Sequence, residues 1–241
     1  MIEKNIDIYK FLIFENKEIL TSYLTEYIST KIKTSIEDNA RFKFCVCGGS
    51  TPKVIYEKLS NINLSWDCVD IFLGDERCVD PLSEESNTNM LKNSLLQNYA
   101  SKAFFCELFK NKELNDDLAK QLFLKTLQEK CIGNPPIFDL TLLGLGDDGH
   151  TASLFPYNEI NNNDLVITTF GKGLKRISLT PKIISASNEI AFLVTGASKN
   201  LALKRLIDKN ESPERTPAKL INSQSKILIF CDSDASNELP I

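Results

Sequence analysis

The chain has 241 residues, 42% hydrophobic and 25% charged, with a formal net charge of −4. That mixture suits a single α/β domain over residues 1–241 and excludes a disordered chain, and without a strongly basic stretch the acidic balance argues against a nucleic-acid surface. No apolar run approaches the roughly 20 residues that cross a bilayer, and Met1–Lys10 lacks the basic-then-apolar order of a secretory leader, so no membrane partner is expected.

In chain order, Asn16–Asn39 places Ile19, Leu20, Tyr23, Leu24, Tyr27, Ile28 and Ile32 at helical spacing and predicts an amphipathic helix. Phe42–Cys47 is a short apolar run of β-formers that enters Gly48-Gly49-Ser50-Thr51-Pro52, a strand running into a tight turn. Pro52–Ser60 then reads as a helix with proline at its first position. Cys68–Gly74 is a second buried strand, followed by a polar loop and a helix from about Thr88 to Gln97. Glu113–Cys131 predicts another amphipathic helix, and Phe138–Gly144 a third buried strand. Asp164–Phe170, Arg176–Thr180, Glu189–Gly196 and Lys226–Asp232 are further strand candidates, with a helix over Ala197–Asp208 between the last two. Continuously apolar strands alternating with helices predict an open, mostly parallel sheet covered on both faces.

Ligands of such sheets bind outside the carboxyl ends of the strands. Three predicted strands end in glycine-bearing polar loops, GGSTP, GDER and GLGDDGH, which should therefore face one side. In the first, Gly48 and Gly49 let the backbone approach a ligand, and Ser50 and Thr51 stand at a helix start that favours an anion. The competing reading is a helix start capped by Ser or Thr. The loop is not G-x-G-x-x-G, which argues against a dinucleotide. The third loop holds His150, the only histidine, two residues after Asp148. An imidazole titrates near neutral pH, and a carboxylate beside it can fix its tautomer; the competing reading is an ordinary polar turn. Arg77 in the second loop suits an oxyanion or a surface ion pair, and Arg176 and Lys199 read singly are solvated cations.

Seven cysteines, an odd number without a C-x-x-C pair, predict a reduced cytoplasmic protein with neither disulfide framework nor zinc site. One histidine and no compact Cys/His cluster leave a metal short of ligands. No G-x-S-x-G elbow is present, and Cys78 is a weak nucleophile candidate.

Taken in order, GGSTP, GDER, SN with Met90, GLGDDGHTASLFP, RISLT and GASK resemble the 6-phosphogluconolactonases over about Phe42–Asp232. GGSTP is shared with the glucosamine-6-phosphate deaminases and, more distantly, ribose-5-phosphate isomerases and CoA transferases. The resemblance implies a Rossmann-like three-layer α/β/α sandwich. It also implies a cytoplasmic pentose-phosphate-pathway enzyme that hydrolyses 6-phospho-D-glucono-1,5-lactone to 6-phospho-D-gluconate without a cofactor. By it, His150 would be the general base and Asp148 the carboxylate orienting it. Gly48, Gly49, Ser50, Thr51, Arg176 and Lys199 would cradle the sugar phosphate, and Arg77 would lie near the lactone or its oxyanion. Asp75 matches a proton-transfer position of the deaminases, its task here open. The deaminase motif resembles D-G-H-I-A-F-N-E; this chain has Phe155 where that glutamate stands, and Arg77 where the deaminases have tyrosine. Two alternatives remain: a deaminase or sugar-phosphate isomerase, and a non-catalytic sugar-phosphate-binding module. A neighbouring pathway dehydrogenase, as a fusion or in complex, is left open as a partner.

Overall fold

A computed structural model describes residues 1–109, 115–161 and 163–239. The chain opens with an antiparallel hairpin that the sequence reading did not assign, β1 (Ile2–Ile6) and β2 (Tyr9–Phe14). β1 is almost wholly exposed, so its sequence carries no alternation of apolar and polar residues to mark it. The first helix, α1 (Lys17–Asn39), starts where Asn16 Oδ1 accepts the Ile19 N–H at 3.0 Å and ends at Ala40 in a left-handed conformation. Leu20, Leu24, Ile28 and Ile32, one helical turn apart, are completely buried, while Ile19 falls off that stripe and is exposed.

β3 (Phe42–Val46) leads into α2 (Ser50–Ser60), which starts two residues before the expected Pro52. β4 (Val69–Leu73) is followed by the short β5 (Asp75–Arg77) and by α3 (Asn87–Lys92). α3 is shorter than the Thr88–Gln97 expectation, with the Asn93 side chain donating to the Asn89 carbonyl where the helix stops. β6 (Phe104–Cys106) and α4 (Asp116–Lys130) follow, α4 capped by Asn115. Glu113 and Leu114, expected in that helix, lie outside the described residues. Then come β7 (Leu140–Gly144), β8 (Val166–Gly171), β9 (Leu174–Leu179), α5 (Pro181–Ile184), β10 (Ile190–Val194), α6 (Asn200–Ile207), β11 (Ile227–Asp232) and α7 (Ser233–Ser236). The expected Ala197–Asp208 helix is divided: Ala197–Lys199 forms a 3₁₀ turn before α6 begins.

Eight strands form one sheet in the order β1-β2-β11-β10-β7-β3-β4-β6, parallel at every pairing except β1–β2. Every residue of β4 and β10 is buried, as in a strand covered on both faces. β8 and β9, expected among the parallel strands, instead form an antiparallel hairpin that joins β5 in a separate sheet, β5-β9-β8. Their spacing explains it: only Lys172 and Gly173 separate them, a two-residue connection that permits an antiparallel pair and no crossover.

Candidate active site

From β3 the chain crosses to β4 on one side of the large sheet; from β7 it crosses to β10 on the other. The two connections diverge, and a crevice opens at the carboxyl ends of β3 and β7. A cavity of about 280 Å³ lies there. Its walls come from Cys47–Pro52 after β3, Asp75 and Arg77 on β5, Gly144–Asp147 and His150 after β7, and Thr195 and Lys199 after β10. The β8–β9 hairpin adds Lys172 and Arg176. Every residue expected at the site lines this cavity except Asp148, which stands behind His150.

The His150 Nδ1 and Asp148 Oδ1 are hydrogen-bonded, and the same oxygen accepts the His150 backbone N–H at 3.2 Å. The loop is tight enough that a Cβ on Gly146 would sit 2.0 Å from Nδ1, so only glycine leaves room for the pair. Burial pushes the imidazole below its ordinary range, against the opposing pull of Asp148. Burial alone would raise the Asp148 carboxyl; its bond to His150 and the nearby positive charge outweigh this and hold it below the usual carboxylate value. The pair is therefore a neutral imidazole held by an ionised carboxylate, with Nδ1–H as donor and Nε2 left as the basic nitrogen.

Gly49 takes φ +117 before α2, and no side chain caps the helix start. The capped-start alternative is thus not what forms. The first-turn N–H groups at Ser50 and Thr51 meet the cavity wall uncapped, at the positive end of an eleven-residue helix. Thr51 Oγ1 lies 3.3 Å from Thr195 Oγ1, tying this turn to the end of β10. A Cβ on Gly48 would fall 1.9 Å from Asn87 Oδ1, a close approach that requires glycine there.

The cations are held on separate elements. Arg176, almost fully buried, pairs with Asp75 at 3.5 Å and donates from Nε to the Gly171 carbonyl at 3.3 Å. Asp75 also accepts the Ser153 hydroxyl. Lys199 pairs with Asp147 at 2.5 Å. Arg77 is not in a surface ion pair among the described residues: it donates from Nη1 to the Glu85 carbonyl, and its buried Nε has no partner there. Glu76 beside it is structural. Its carboxylate accepts the backbone N–H groups of Arg77, Asn87 and Thr88 and the Ser86 hydroxyl, pinning the start of α3 to β5. Cys78 does not line the cavity, and burial pushes its thiol up to about 11, which removes it as a nucleophile.

Sequence reasoning passed over Lys172 and Thr195, and gave Asn87 of the SN motif no role. Lys172 sits between Gly171 and Gly173 at the tip of the β8–β9 hairpin, with φ +52. A lysine flanked by glycines is a turn signal, but the missed hairpin hid where that turn points. Asn87, 2% exposed, donates from Nδ2 to the Asp75 carbonyl at 2.8 Å, a placement that the SN motif alone does not convey.

The family model described as glucosamine-6-phosphate isomerases/6-phosphogluconolactonase matches residues 15–230. A 6-phosphogluconolactonase from Nostoc sp. is 34% identical, the match covering 90% of this chain and 92% of the relative. One from Synechocystis sp. is 33% identical over 93% of this chain and 95% of its own. A crystal structure of a 6-phosphogluconolactonase from Shewanella baltica superposes with a TM-score of 0.83 at 26% identity, covering 92% of this chain and 97% of that one, and shares the Rossmann-like arrangement. With the match running from α1 to β11, the chain belongs to the glucosamine-6-phosphate isomerase/6-phosphogluconolactonase family.

Proposed function

We propose that this chain hydrolyses 6-phospho-D-glucono-1,5-lactone to 6-phospho-D-gluconate, with His150 as the general base that activates water. The observation that carries the reading is the meeting, in one cavity, of a carboxylate-oriented neutral imidazole and an uncapped helix N-terminus ringed by cations. The relatives that cover nearly the whole chain bear the name of this activity.

Nε2 of His150 takes a proton from water as the water oxygen attacks C1, and the carbonyl electron pair moves onto oxygen. Arg77 and loop N–H groups offer donors to that oxyanion. As the tetrahedral intermediate collapses, the C1–ring-oxygen bond breaks and the imidazolium returns its proton to the departing oxygen. Asp148 stabilises the imidazolium between the two transfers. Ser50, Thr51, Arg176 and Lys199 hold the phosphate at the far end of the sugar and so fix C1 against the base. The steps are acyl transfer to water with proton transfers through one imidazole, involve no change of oxidation state and call on no cofactor. Phe155 stands against His150 where the deaminase motif would set a carboxylate, which leaves that chemistry without its second acid–base group. On this reading the partner is a small sugar phosphate in the cytoplasm. A dehydrogenase that oxidises the sugar at C1 supplies the lactone, whether free, fused or in complex.

The test is hydrolysis of freshly prepared lactone with the spontaneous rate subtracted. His150→Ala and His150→Asn should lose about 10²–10⁴-fold in kcat while still binding 6-phosphogluconate; an unchanged kcat would remove His150 from the chemistry. Arg176→Ala and Lys199→Ala should raise KM more than they lower kcat. Unaltered affinity for 6-phosphogluconate in both would place the phosphate elsewhere.

A further inference from the structure

Phe155 is 5% exposed, and among the described residues its ring meets two groups of the cavity wall, His150 and Arg176. Its centroid lies 4.8 Å from that of His150, the planes tilted by 33°. The Arg176 guanidinium carbon lies 5.3 Å from the same centroid. The ring thus separates the imidazole from a nearly buried cation. A third element closes on it: a Cβ on Gly171, at the end of β8, would fall 2.2 Å from the ring carbons Cδ2 and Cε2.

A ring packed against an imidazole restricts its motion and excludes water from one face, and a guanidinium over a ring is held by the negative π-face. Asp148 controls only the Nδ1 edge of His150, leaving rotation about that hydrogen bond to whatever packs on the ring. We propose that Phe155 is a positioning residue that sets His150 and Arg176 at a fixed separation across the cavity, with Gly171 as the space that lets the aromatic ring seat there. The assignment rests on the reading of His150 as the base.

The chain has one histidine, so its imidazole Cε1–H resonance reports on His150 without competition from another histidine. In the wild type, that resonance should be displaced by the ring current of Phe155. Asp148, Lys172 and Asp75 also bear on the imidazole charge, from its own loop, the β8–β9 turn and β5, and all three are unchanged in the variants. Phe155→Leu should move the titration midpoint of His150 up towards the ordinary imidazole value, because water reaches the freed face. It should also lower kcat about tenfold or more and raise KM, since both partners of the ring are released. Phe155→Tyr, which retains a ring, should restore midpoint and kcat together. Gly171→Ala leaves Phe155 in the chain but displaces its ring. Gly171 has no positive φ, so alanine does not strain the backbone, and this variant should shift the midpoint in the same direction.

A resonance without ring-current displacement in the wild type would overturn the proposal. So would a Phe155→Leu or Gly171→Ala protein that keeps the wild-type midpoint and kcat. An inactive wild type would instead sink the lactonase reading, while the titration would still decide whether Phe155 positions the imidazole.

Discussion

Asp148 acts on His150 in two ways that a pH profile separates. Its charge raises the imidazole's proton affinity, against the burial that lowers it, and its hydrogen bond fixes which nitrogen is basic. The profile of kcat/KM reports the free enzyme, so its acid limb should lie below the ordinary imidazole value of about 6.5. Activity falls as pH drops through that limb, because protonated His150 accepts nothing from water. Asp148→Asn removes the upward pull and should move the limb to still lower pH. It should also cost about 10²-fold or more in kcat through loss of the correct tautomer. A limb that moves up, or does not move, would show that Asp148 is not what tunes the base. This pair was legible in the sequence because its loop ends a predicted parallel strand and should open beside the GGSTP loop, which sets it apart from an ordinary polar turn. Lys172 was not, and Asn87 only as part of the SN motif: their placement comes from a hairpin tip and from burial against Gly48, and a solvated lysine or asparagine has the same local sequence.

Between elements, the register of β3 on β4 sets Lys43 opposite Asp70. The Asp70 side chain has no exposed surface, and it accepts from both Lys43 and Arg41. Burial raises its pKa, but the bonds and charges of these two cations outweigh that and hold it below the ordinary carboxylate value. A carboxyl whose folded value is depressed lends stability above its unfolded value, and loses it as pH falls through the folded one. Asp70→Asn should therefore cost about 3 kcal/mol near neutral pH. That difference should shrink below about pH 4, read by denaturant unfolding at both pH values. A cost equal at pH 7 and pH 3 would mean that the charge is immaterial. β3, β4, β7, β10 and β11 were readable as elements because apolar residues dominate each run, whereas β2, as apolar and mostly buried, was not assigned. β5, β6 and β1 escaped notice, being three residues long or exposed on both faces. The β8–β9 pairing escaped because each strand was read singly, when the decisive fact was the two residues between them.

Over the whole molecule, charge is distributed against its own sum. The chain carries −4, yet Arg77, Lys172, Arg176 and Lys199 converge on one cavity while its carboxylates are engaged by hydroxyl, guanidinium, ammonium or imidazole. A local positive field draws a phosphorylated ligand to an acidic protein, and salt screens that field over about 10 Å at 0.1 M. Raising ionic strength from about 0.05 to 0.5 M should raise KM several-fold with little change in kcat; a KM indifferent to salt would deny the cavity its electrostatic role. The convergence of three glycine-bearing loops was foreseeable from parallel strands alone, since all their carboxyl ends point one way.

The order of the large sheet has a consequence for how the polypeptide is made. β2 has β11 as its only in-sheet neighbour besides β1, so Tyr9 must wait for Ile227. As the ribosome releases the chain from its amino end, the first hairpin emerges with no sheet to join, and one edge of β10 stays open for the same reason. The strand that closes both gaps is translated after every other strand among the described residues. Assembly of the sheet is thereby deferred until β11 has been made, when its longest loop closures occur together. Nascent chains halted before residue 227 should expose the β10 edge and be the species that chaperones hold.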